Sequence, residues 1–147
     1  MTVEEGEQGE GIIRLAGWLT AALALTAVLA AILPDVFVPL SVPVALLLFL
    51  VGAGALAWGY AIAVGRSRYH AVTLAGLFLM GENVAPPQVR RALRGLLAVQ
   101  VVVALATASV RPFTPLAFGV LAPLSAYGLM VLWTARYGEF PLKGPSG

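Results

Sequence analysis

Long apolar runs of this chain alternate with short polar stretches, and the basic residues are shared very unequally among those stretches. Leu15 to Leu33 and Val44 to Val64 carry no charge. At about 1.5 Å per helical residue, each is long enough to cross a hydrocarbon core of about 30 Å. Val89 to Val110, with Arg90, Arg91 and Arg94 in its opening turns, and Leu116 to Thr134, which is uncharged, are two more long apolar runs. The pattern predicts an all-α fold: a multi-pass membrane protein whose four transmembrane helices form two hairpins. The expected spans are 15–33, 44–64, 89–110 and 116–134.

The connections follow from the same pattern. Pro34, Pro39 and Pro43 stiffen a turn over 35–42, where Ser41 and Pro43 resemble the start of the second helix. Pro86 and Pro87 suit the first turn of the third. Pro123 falls inside the fourth span and predicts a kink there, which would free the carbonyl near Gly119, with Ser125 close by. Residues 65–88 form the longest polar interruption. Within them Ala71 to Met80 is apolar but too short to cross. It is expected as an interfacial helix between helices 2 and 3, with Leu74, Leu77 and Phe78 on one face and Thr73 and Gly76 turned away. Residues 1–11, rich in glutamate, read as a disordered acidic tail, 12–137 as the membrane domain, and 138–147 as a second short tail. The acidic leader argues that the first run is a retained helix and not a cleaved signal.

Composition strengthens this picture. Hydrophobic residues make up 60% of the chain and charged residues 11%, with mean hydropathy +0.92, whereas a soluble domain is about a quarter charged. Arg14, Arg66, Arg68, Arg90, Arg91, Arg94, Arg136 and Lys143 all fall on one side of a four-span arrangement, and Arg111 alone falls on the other. The positive-inside rule then puts both termini and the 65–88 segment in the cytoplasm. The expected location is the bacterial cytoplasmic (inner) membrane.

The stretch VRRALRGLLAVQVVVALATASVRPFTPLAFGVLAPL, from Val89 to Leu124, resembles one in small four-span integral membrane proteins of actinobacteria, a group with no assigned activity. The resemblance implies a bacterial origin and a membrane-embedded helical bundle, and carries no catalytic signature.

Candidate chemistry is sparse. No Asp, Glu, Lys or His lies inside an expected span, and with a single histidine and no cysteine neither a metal nor a cofactor is expected. Nucleic acid is excluded as a partner by the absence of a soluble basic face. Ala53, Ala57, Ala61 and Gly65 recur every four residues as a small-residue strip, a candidate helix-packing face. Gln100, Ala104, Thr107 and Ala108 share a second small, polar face, from which Val101, Val102 and Leu105 point away. Arg66, Arg68, Arg90, Arg91 and Arg94 are expected to set topology and meet anionic lipid headgroups.

The functional expectation is a non-enzymatic accessory protein, a subunit, assembly factor or scaffold that packs against another integral membrane protein or itself. The alternative is a small transporter or channel for an uncharged or lipidic solute, lined by Gln100, Thr107, Ser125 and the Pro123 kink. A weaker alternative is a lipid-modifying enzyme using His70 and Glu82.

Overall fold

The computed structural model describes residues 9–79, 81–110 and 119–144. Its helices are α1 (Glu10–Ile32), α2 (Pro34–Arg66), α3 (Leu74–Leu79), α4 (Pro87–Val110) and α5 (Pro123–Tyr137). No β-strand occurs among the described residues. α1, α2 and α4 are each long and apolar enough to cross a membrane. They also turn large apolar side chains outward, among them Trp18, Leu25, Leu47, Leu50, Val102 and Leu105. Apolar surface on that scale would not be tolerated in water. This is a membrane protein built as a helical bundle.

α5 lies at the centre. Ser125, Ala126, Gly128, Leu129, Met130, Val131, Trp133, Thr134 and Ala135 are all buried, so the helix is enclosed on every side. α2 runs parallel to it: Gly52 meets Leu124 and Gly128, and Gly59 meets Leu132. Arg66 reaches Ala135 and Gly138 at the far end. α1 is antiparallel to α2, with Ala16 clustered beside Ala55 and Leu23 beside Leu48. α4 runs parallel to α1, since Leu93 lies near Ala16 and Gln100 bonds Thr20. The N-terminal ends of α1 and α4 and the C-terminal ends of α2 and α5 therefore gather at one end of the bundle, bringing most of the arginines with them.

Four expectations are corrected. The predicted turn over 35–42 is helical, because α2 begins at Pro34 and continues through Pro39 and Pro43. Pro34 occupies the first turn, where a missing N–H costs nothing. The two carbonyls that lose a helical donor to Pro39 and Pro43 belong to Asp35 and Pro39, both exposed residues near the helix start. The hairpin between α1 and α2 thus narrows to Leu33.

Pro123 does not kink a helix; it starts one. A single 3₁₀ turn over residues 119–121 precedes it, closed by Ala122 N–H donating to the Gly119 carbonyl at 3.0 Å. The chain thus uses the residue that cannot donate at the position where no donor is needed. Residues 116–118 of the predicted fourth span lie outside the described residues, as do Arg111 and the acidic residues Glu4, Glu5 and Glu7 of the tail. Glu10, counted in that tail, is helical and pairs with Arg14 at 3.1 Å.

The short central helix exists, but its faces differ from the expected ones. Thr73 caps it, accepting the Gly76 N–H at 3.0 Å on its hydroxyl. Leu77 is buried and Phe78 stacks on Tyr127 with ring centroids 6.0 Å apart, whereas Leu74 is exposed. Gly76 faces inward, against the Phe140 ring. The ring of Phe140 takes the space that a larger residue at 76 would need.

Candidate functional site

Two polar constructions stand out, one inside the bundle and one across its charged end. The inner one is built on Gln100, whose side chain is 0% exposed. Its Nε2 donates to Thr20 Oγ1 of α1 at 2.8 Å. Ser125 Oγ of α5 donates to its Oε1 at 3.0 Å. Thr20 in turn donates to the Ala16 carbonyl at 2.8 Å. One amide thus ties three helices at mid-bundle, and the groups it touches are themselves buried. A buried amide without partners costs about 1–3 kcal/mol by mutational measures, so these helices hold one relative rotation that satisfies it.

Gln100→Leu is expected to destabilise the bundle modestly, by about 0.6–2 kcal/mol, because Ser125 loses its acceptor while the leucine regains packing. Thermal unfolding of the purified protein in detergent checks this. A loss of activity in a bundle of unchanged stability would instead mark the amide as part of a solute path.

Beside this junction α2 and α5 come into backbone contact. A Cβ on Gly128 would strike the Gly52 carbonyl, and one on Gly52 would strike the Leu124 carbonyl. A Cβ on Gly59 would lie 2.9 Å from the Leu132 Cα. Packing of this closeness is what drives association where lipid is as apolar as leucine. It uses Gly52, Ala55, Gly59 and Ala63. The strip singled out in the sequence lies on another face of the same helix: Ala57, Ala61 and Gly65 are exposed and Ala53 is partly so. On the second predicted face Ala104 is buried and Thr107 and Ala108 are half-buried. Thr107 donates to the carbonyls of Val103 and Ala104 in its own helix.

The second construction pins the chain's last described residues to the central segment. Arg66 Nη1 donates to the Ala135 carbonyl at 2.8 Å and Nη2 to the Gly138 carbonyl at 2.9 Å. Its guanidinium also lies 5.6 Å from the centre of the Phe140 ring. A cation there satisfies carbonyls that every helix leaves unpaired at its C-terminus and complements its dipole. Backbone bonds continue the join: Glu139 N–H to Val84 O at 2.9 Å, Ala71 N–H to Pro141 O at 2.8 Å, and Lys143 N–H to Tyr69 O at 3.1 Å. His70 and Leu142 form an antiparallel bridge.

The predicted headgroup arginines therefore divide. Arg66 is engaged with carbonyls, Arg90 donates to the Glu82 carbonyl at 2.9 Å, and Arg68 and Arg91 are exposed. Arg94 is exposed and also has interaction partners. His70 and Glu82 share no hydrogen bond: His70 Nδ1 is buried without a partner, and the exposed Glu82 borders an open pocket of about 220 Å³ with Glu139.

Thr20 has no sequence signal of its own, being one threonine in an alanine-rich helix. Gly52 and Gly59 stand seven residues apart and so on one helical face, but only their burial against α5 sets them apart from Gly54 and Gly65. Searches with this chain find no matching family model, curated protein or solved structure.

Proposed function

We propose that this chain is a non-enzymatic accessory protein of a bacterial cytoplasmic membrane, a subunit, assembly factor or scaffold that works by packing against another integral membrane protein. On this reading it crosses four times, α5 and the residues before it making the fourth crossing. Both termini and the arginine-rich end face the cytoplasm, and Arg68 and Arg91 meet anionic headgroups.

The observation that carries the reading is that α2 has two small faces and its own bundle uses one. Gly52, Ala55, Gly59 and Ala63 close against α5, while Ala57, Ala61 and Gly65 stay exposed. A smooth exposed face in lipid is a place where a partner helix can approach closely. The engagement of Gln100 by Thr20 and Ser125 supports a structural use of the amide over a conducting one.

The experiment has two arms. Ala57→Leu and Ala61→Leu should strip a co-purifying membrane partner in mild detergent while leaving the bundle's thermal stability within about 0.5 kcal/mol, since both sites are exposed. Undiminished co-purification would remove the packing face from consideration. For orientation, the chain has no cysteine of its own, so a single Asp35→Cys should react with an impermeant thiol reagent from outside intact cells. Reaction only in inside-out vesicles would reverse the topology.

A further inference from the structure

At the end of the bundle away from the arginines, α1 and α4 diverge. They touch through Thr20 and Gln100, but further along Ala24, Ala27 and Ala31 face Val103, Ala106 and Val110 across an open groove of about 320 Å³. Its walls are almost wholly alanine and valine. Val28 and Val110 on its rim are exposed. Ala27 and Thr107 line this groove and also bound a second cavity of about 20 Å³, whose other described walls are Leu23, Thr26, Ser41, Val44, Ala45 and Gly119. Ala27 and Thr107 are therefore a wall common to the two cavities.

The small cavity has a defined chemistry. Among its apolar walls are hydroxyl-bearing residues from three helices: Thr26 of α1, Ser41 of α2 and Thr107 of α4. Each has given its proton to its own helix, Thr26 to the Ala22 carbonyl at 2.7 Å, Ser41 to Val38 at 2.6 Å and Thr107 to Val103 at 2.9 Å. What remains to each is lone-pair capacity, so the hydroxyls can accept hydrogen bonds from a guest. The volume suits one water-sized group. Among the described residues no charged side chain lines either cavity, so beside Thr26, Ser41 and Thr107 a phosphate or ammonium head would be desolvated without compensation.

We propose that the groove and cavity together bind a neutral lipid alcohol, its hydroxyl donating into the Thr26–Ser41–Thr107 cavity and its hydrocarbon chain lying along the α1–α4 groove. This needs only the membrane-embedded bundle and stands whether or not the accessory reading does.

The test uses the full chain in phosphatidylcholine nanodiscs and two photoactivatable probes: a diazirine-bearing hexadecanol and its methyl ether, which has the chain but no donor. The alcohol should label residues 24–31 and 103–110 saturably, about five-fold more strongly than the ether, as one net hydrogen bond implies. Thr107→Val, close in shape, should remove most of that preference, and Ala106→Leu should lower labelling by both probes. Ser41→Ala repeats the comparison from another helix should Thr107→Val fail to give a monodisperse protein. Equal labelling by alcohol and ether overturns the proposal, leaving the groove to any acyl chain and the cavity to water. A preference that survives both hydroxyl substitutions overturns it as well.

Discussion

Gly128→Leu is expected to abolish the folded bundle, and Gly128→Ala to weaken it by about 1–3 kcal/mol or more. Gly128 lies on the central helix and its Cα faces the Gly52 carbonyl, so an added Cβ meets backbone and not a side chain that could rotate away. Relief requires α5 to withdraw from α2 along its length, which also loosens the contact of Gly59 with Leu132 and the bonds of Arg66 to the end of α5. Gly54→Ala and Gly65→Ala are the matched controls. Nothing lies within 4 Å of a Cβ at either site, and alanine is the better helix former by about 1 kcal/mol. These two should be neutral or slightly stabilising. Unfolding of each variant in mixed micelles, with size-exclusion profiles, gives the comparison. A Gly128→Ala protein as stable as Gly54→Ala would mean that α2 and α5 do not approach so closely.

Arg66→Ala should release the C-terminal segment. The variant loses two charge-assisted hydrogen bonds, at 2.8 and 2.9 Å, together with the contact to Phe140. Hydrogen bonds to a charged group contribute about 1.5–3 kcal/mol. The expected sign is a local opening: the amides of Ala71, Glu139 and Lys143, which now bond across the join, should exchange with solvent much faster while amides of α1 keep their protection. Arg66→Lys should rescue only part of this, since an ammonium lacks the planar fork that reaches two carbonyls at once. Unchanged protection at Glu139 in Arg66→Ala would show that the backbone bonds alone hold the segment.

Much of the architecture is legible in the residues. Long apolar runs give the three long helices, and the segregation of arginine gives the end at which chain segments meet. Proline misleads in this chain because its local meaning depends on depth and register. Pro39 and Pro43 read as loop formers, yet the carbonyls they deprive are exposed near a helix start, so a helix accommodates them. Pro123 reads as a kink only if a helix already precedes it, and the 3₁₀ turn over 119–121 intervenes.

The small strip shows a different limit. Spacing identifies Ala57, Ala61 and Gly65 as one smooth face, but a helix so rich in small residues has several, and only the position of Gly128 on another helix selects Gly52 and Gly59. Gln100 can be recognised as a polar residue needing partners. That those partners are Thr20 and Ser125 depends on rotations of three helices that no single segment encodes.

The join made by Arg66 also has a consequence in time. Its two carbonyl partners lie 69 and 72 residues further along the chain. At about 5–20 residues per second of synthesis, they appear roughly 3–14 s after Arg66 itself. During that interval α1 and α2 are complete while the guanidinium has no helix end to cap, so its charge is available to the membrane surface as the first hairpin inserts. On the proposed orientation, the same side chain serves two successive tasks, favouring the cytoplasmic side during biogenesis and then locking the finished chain. A truncation before Ala135 would leave it permanently in the first.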